Sequence, residues 1–128
     1  MSENTSYKPR HPAQPRFLDV RGVRYHLLCW GDLSRVTPEQ PLVVMVHGWM
    51  DVAASFQVMV DALRDQPGWA DRPIVAIDWR GFGETMPPSG TDGYFFADYL
   101  GDLDALLDQL SPGQPVDLVG HSMGGNVV

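Results

Sequence analysis

The stretch PVDLVGHSMGGNVV (residues 115–128) decides the architecture of this chain. Val116-Asp117-Leu118-Val119 is a short apolar run framed by Pro115 and Gly120, which predicts a buried strand. The residues from Ser122 onward open a helix. Between the two lies Gly120-His121-Ser122-Met123-Gly124, a G-x-S-x-G pattern. A strand that passes straight into a helix must reverse sharply. The central residue is then held in a strained backbone conformation with its side chain pushed outward. A Cβ on either flank would strike the neighbouring strand or helix, so both flanks are glycine, and Gly125 adds room. The first N–H groups of the helix, with the positive end of its dipole, then lie beside the serine oxygen. Strain of this kind persists where it is used, and it points to Ser122 as a nucleophile. Other glycine-rich turns fit less well. A dinucleotide turn needs glycine where Ser122 stands, and a phosphate loop needs a following Gly-Lys-Ser/Thr. A turn without chemistry needs neither the strand before it nor the helix after it.

Working outward, the same alternation continues upstream. Leu42–Val46 (LVVMV) and Ile74–Ile77 within PIVAI (73–77) are continuously apolar, as strands covered on both faces are. Residues 53–65 place Phe56, Val60 and Leu63 at helical spacing. Residues 94–110 place Phe96, Leu100, Leu103, Leu107 and Leu110 on one helical face, with Asp98, Asp102 and Asp108 off it. Asp92 is positioned to cap that helix. Before all of these, FLDV (17–20) and VRYHLLCW (23–30) flank Arg21-Gly22 and predict a hairpin. In its second strand Val23, Tyr25, Leu27 and Cys29 share one face, and Arg24, His26, Leu28 and Trp30 the other; His26 is expected to be structural. The order is an antiparallel hairpin and then β-α-β-α-β-(α), which means an α/β fold with a parallel sheet wrapped on both faces. Functional loops in such sheets lie at the carboxyl ends of the strands. Here those are HGWMD (47–51), DWRGFGET (78–85) and GHSMGG (120–125).

Composition narrows the function classes. The chain is 44% hydrophobic, enough for one core, and its 16 acidic against 9 basic residues give a formal charge of -7. That balance disfavours nucleic acid and anionic membrane surfaces. Cys29 stands alone, so there is neither an intrachain disulfide nor a cysteine-pair metal site, and a reducing, cytoplasmic location fits. No run reaches the length of a membrane span. Residues 1–15 are polar and proline-bearing, which predicts a disordered tail with an inert His11. Residues 16–128 are expected to form part of a single domain.

VVMVHGWMDVAASF, IVAIDWRGFGET and VDLVGHSMGGNVV together resemble the N-terminal half of the α/β-hydrolase superfamily, over residues 16 to 128. The His-Gly-Trp and Gly-His-Ser-Met-Gly-Gly forms are similar to bacterial serine esterases and serine hydrolase-like proteins. The resemblance implies that Ser122 attacks a carbonyl carbon to form an acyl-enzyme, which water hydrolyses. It implies an oxyanion hole made by the backbone N–H groups of Met123 and Trp49, with His47 and Gly48 supporting the loop and Gly120 and Gly124 shaping the elbow. Neither His47 nor His121 is expected to be the base. Asp78 and Arg80 are expected to organise their loop, and Trp79, Phe82 and Met86 to pack or line the site. The family pattern Asp-x-Arg-Gly-x-Gly-x-Ser ends here in Glu84-Thr85. A serine rather than an aspartate at the elbow disfavours the dehalogenase and epoxide hydrolase branches, whose nucleophile is a carboxylate. No cofactor or metal is implied, and the substrate is a small ester or related acyl compound.

In the family the acid and the histidine follow the serine along the chain, so both are expected beyond Val128, together with any cap. These residues are therefore expected to be the N-terminal portion of a longer protein and to be inactive alone. Carbon–carbon bond hydrolysis, cyanohydrin lysis and perhydrolysis use the same elbow and stay open. So does a non-catalytic member of the superfamily, whose mark is a missing acid or histidine.

Overall fold

The computed structural model describes residues 7–87, 89–91 and 93–128. Arg21 and Gly22 both take positive φ (49° and 80°), the turn that matches the natural twist of a two-residue hairpin. It joins β1 (Gln14–Val20) to β2 (Val23–Trp30), with Val20 opposite Val23. There follow β3 (Leu42–Val46), α1 (Gln57–Arg64), β4 (Ile74–Ile77), α2 (Phe96–Leu110), β5 (Val116–Gly120) and α3 (Met123–Val127). A 3-10 turn over Ala53–Phe56 leads into α1. The sheet order is β1-β2-β4-β3-β5, with β2 of the hairpin antiparallel to β4 and the last three strands mutually parallel.

The alternation of side chains across the sheet builds two cores. Leu42, Val44, Val46, Val75 and Ile77 point to one face with Tyr99, Leu103, Leu106 and Val127 of α2 and α3. Val43, Met45, Ile74 and Ala76 point to the other, with Phe56 and Val60 of α1. Both faces of β3 and β4 are covered, which is why these strands read as unbroken apolar runs. On β2 the expected division holds, yet His26 and Trp30 on the second face are buried as well.

β5 forms one edge of the sheet among the described residues; its Asp117 is exposed and the rest of it half-buried. One expectation is corrected. The buried face of α2 is Tyr99, Asp102, Leu103 and Leu106, whereas Phe96 and Leu100 are 46% and 43% exposed. The helix is turned because Tyr99 packs edge-on to Trp79 (centroids 5.3 Å) and because Asp102 has cationic partners inside. β1 begins at Gln14, and Tyr7, Arg10 and His11 ahead of it are fastened to Asp61 of α1. That carboxylate, 1% exposed, accepts from Tyr7 Oη (2.5 Å) and from the N–H groups of Arg10 (3.1 Å) and His11 (2.9 Å). Asp92, the expected cap of α2, lies outside the described residues.

Candidate active site

The elbow forms where β5 ends. His121 N–H still donates to Val46 O (3.1 Å), extending the pairing with β3. One residue later the chain reverses, and Ser122 takes φ 55° and ψ −117° before α3 begins at Met123. Such a conformation costs a non-glycine residue about 1–3 kcal/mol and survives only where the surroundings impose it. Here they do. A Cβ at Gly120 would stand 2.6 Å from the backbone of Gly124 and Gly125, and one at Gly124 would stand 2.5 Å from Val46 O. Gly125 differs: a Cβ there meets nothing nearer than 3.4 Å, so its side-chain freedom is not what the turn requires. Ser122 is left exposed at the carboxyl end of the sheet.

The loop after β3 lies directly against this elbow. A Cβ at Gly48 would come within 2.9 Å of Ser122 Cβ and 3.2 Å of His121 O, so only glycine permits the approach. Asp51 N–H closes a turn on Gly48 O (3.3 Å), with Met50 at φ 61°. Trp49, next in the chain, is 57% exposed, and its ring meets Phe82 edge-on (5.0 Å). The N–H of Met123, as the first of a helix, has no intrahelical acceptor.

His47 is locked. Trp79 N–H donates to its Nε2 (2.9 Å), so Nε2 must be the acceptor nitrogen, and Nδ1–H donates to Gly48 O (2.7 Å). The Trp79 indole N–H in turn donates to His47 O (2.9 Å). Burial pushes the imidazole below its ordinary value, in keeping with a neutral ring whose two nitrogens are spoken for. His121 is exposed, with Nδ1 near Gly48.

The next residue back, Asp78, grips the same loop at its other end. Its Oδ1 accepts from Ala53 N–H (2.8 Å), and its Oδ2 from Glu84 N–H (3.0 Å) and His26 Nδ1 (2.7 Å). Arg80 makes two parallel bonds to Asp102 of α2 (2.6 and 2.8 Å). Tyr25 Oη and Arg21 also donate to that carboxylate. The Tyr25 phenol is raised above its ordinary range by burial and then by Asp102. Asp78 and Arg80 thus organise their loop. His26, expected to be structural, is buried in this network; the roles of Asp102 and Glu84 were not expected, and the available signal was a cation, Arg80, within a loop that needed a buried partner. Thr85 stands where the family pattern has serine and keeps its hydroxyl, which accepts from His26 N–H (2.8 Å).

Among the described residues no group of three His, Cys, Asp or Glu could hold a metal ion, and no helix is long and apolar enough to cross a membrane. A depression lined by Arg35, Thr37, Gln40, Gly68, Ala70 and Asp71 lies ahead of β3 and β4, at the amino ends of the strands, away from Ser122.

Residues 41–128 match the family model for the alpha/beta hydrolase fold. The chain belongs to the α/β-hydrolase family. This α/β-hydrolase chain is 32% identical over 113 residues to epoxide hydrolase A of Mycobacterium tuberculosis, covering 88% of itself and 32% of that protein. Among solved structures it is similar to epoxide hydrolase VrEH1 from Vigna radiata, at 28% identity and TM-score 0.69, over 91% of this chain and 34% of that one. It is also similar to a thioesterase domain from the curacin biosynthetic pathway, at 27% identity and TM-score 0.68, over 90% and 37%. The chain therefore spans about a third of the length of these α/β-hydrolase relatives.

Proposed function

We propose that the protein containing this chain cleaves a carboxylic ester or related acyl bond through an acyl-enzyme on Ser122. The observation that carries this reading is a serine, not a carboxylate, in the strained elbow position. Attack by Ser122 Oγ on a carbonyl carbon produces a tetrahedral oxyanion, and its collapse expels the alcohol. The resulting ester on Ser122 is open to water in turn, which restores the serine. The backbone N–H groups of Trp49 and Met123 are assigned to the oxyanion. His47 has both ring nitrogens engaged, and His26 lies between two carboxylates. Following the chain order Ser, acid, His of this fold, the general base and its acid are proposed for segments after Val128.

The names of the epoxide hydrolase relatives favour one competing reading, epoxide opening. Chemistry separates the two. An epoxide opened by a carboxylate leaves an ester on the enzyme, which water cleaves. The same epoxide opened by Ser122 would leave an ether, which water does not cleave, and the enzyme would stop after one turnover. The elbow therefore favours an acyl substrate.

In the full-length protein a fluorophosphonate probe should label Ser122, and p-nitrophenyl esters should turn over. Ser122→Ala should abolish labelling and lower ester turnover by at least about 10³-fold. Sustained styrene oxide hydrolysis that survives Ser122→Ala would overturn the proposal.

A further inference from the structure

His47 is fully buried, and both nitrogens of its ring bond to backbone. Nδ1–H donates to Gly48 O (2.7 Å), and Nε2 accepts Trp79 N–H (2.9 Å). Trp79 N–H is a main-chain group and can only donate. It therefore admits one form of the ring, the neutral tautomer with its hydrogen on Nδ1. Trp79 holds the same residue a second time, since its indole N–H donates to His47 O (2.9 Å). Trp79 is itself fully buried and edge-on to Tyr99 of α2 (5.3 Å), so the frame behind the ring is fixed.

These bonds converge on Gly48 O, which accepts from His47 Nδ1–H and from Asp51 N–H (3.3 Å). The carbonyl of Gly48 and the N–H of Trp49 belong to one peptide unit. That unit is planar and trans, so its N–H points the opposite way from its carbonyl. Two donors on Gly48 O thus set the plane of the peptide and the direction of Trp49 N–H. They also draw electron density toward the oxygen, which makes the N–H a stronger donor. Trp49 N–H has no backbone acceptor among the described residues. Gly48 Cα, at one end of the same unit, lies against the elbow, where an added Cβ would come within 2.9 Å of Ser122 Cβ.

We infer that His47 is a positioning residue that works through Gly48 O: as the Nδ1–H tautomer selected by Trp79, it aims and polarises Trp49 N–H for an oxyanion. The effect passes through one donated hydrogen, and filling the space of the ring does not supply it. This inference rests on the serine reading.

Two substitutions separate the two bonds of the ring. In His47→Asn the side-chain amide N–H stands where Nδ1–H stood and can still donate to Gly48 O. In His47→Gln the amide oxygen reaches toward the Nε2 position and can still accept Trp79 N–H, but Gly48 O loses its donor. In the full-length protein, His47→Gln should lower kcat on p-nitrophenyl esters about 10- to 100-fold with KM within about threefold of wild type, because a misaimed donor costs less than a missing one. His47→Asn should recover kcat to within about fivefold of wild type. Nitrogen NMR of the wild-type protein, which requires no variant to fold, should show hydrogen on Nδ1 of His47 and none on Nε2 at neutral pH. Hydrogen on Nε2, a folded His47→Gln enzyme with wild-type kcat, or a folded His47→Asn enzyme as slow as His47→Gln would each overturn the inference. Failure of a fluorophosphonate to label Ser122 would sink the serine reading instead, and the NMR would still decide the tautomer of His47.

Discussion

Ser122 and its glycines show how little space separates the site from its scaffold. The φ of 55° at Ser122 is imposed by backbone on both sides, and Gly120 and Gly124 are the positions where those backbones come closest. Both face main-chain atoms, which cannot swing away as a side chain would. Gly120→Ala and Gly124→Ala should each cost about 1–3 kcal/mol or more in thermal unfolding of the full-length protein, through overpacking. Gly125→Ala has ordinary contact distance and lies on α3. It should be neutral or stabilise by up to about 1 kcal/mol, since alanine is the better helix former. Equal losses at all three positions would show that the contacts at 120 and 124 do not set the turn.

Helix α2 depends on charge as much as on apolar packing. Its Asp102 is fully buried, and the expense of burying it is offset by Arg80, Tyr25 and Arg21. Arg80 contributes two bonds from a side chain that is 12% exposed, and Arg21 one from a side chain that is 43% exposed. Breaking the inner pair leaves an uncompensated buried carboxylate. Arg80→Met should therefore destabilise by about 3–5 kcal/mol, and Arg21→Met by less than about 1 kcal/mol, in denaturant titrations of the full-length protein. A larger loss at Arg21 would contradict this ordering. The same bonds connect α2 to the loop that begins at Asp78, so the helix is fastened beside the site rather than only to the sheet.

Across the whole molecule, a histidine kept neutral should make stability depend on pH. The folded state holds His47 below its ordinary value by burial, so the unfolded chain takes up its proton first as pH falls. The contribution is complete above the unfolded value, about 6.5, and is lost as pH drops from there through the folded value. Melting temperature of the full-length protein should decline on acidification below about pH 6.5, and His47→Gln should flatten that part of the curve. An unchanged slope in the variant would assign the decline to other groups. Much of this architecture was legible beforehand. The apolar runs of β3 and β4, the Arg21-Gly22 turn and the glycines around Ser122 are local signals, because strand burial and turn geometry follow from neighbours in the chain. Tertiary structure alone decided which face of α2 turned inward, and it paired His26 with Asp78 and Glu84. Asp102 reads as a surface residue until Tyr25 and Arg21, 77 and 81 positions away, are brought to it. A buried charge is stable only where its partners converge, and spacing along the chain does not encode that convergence.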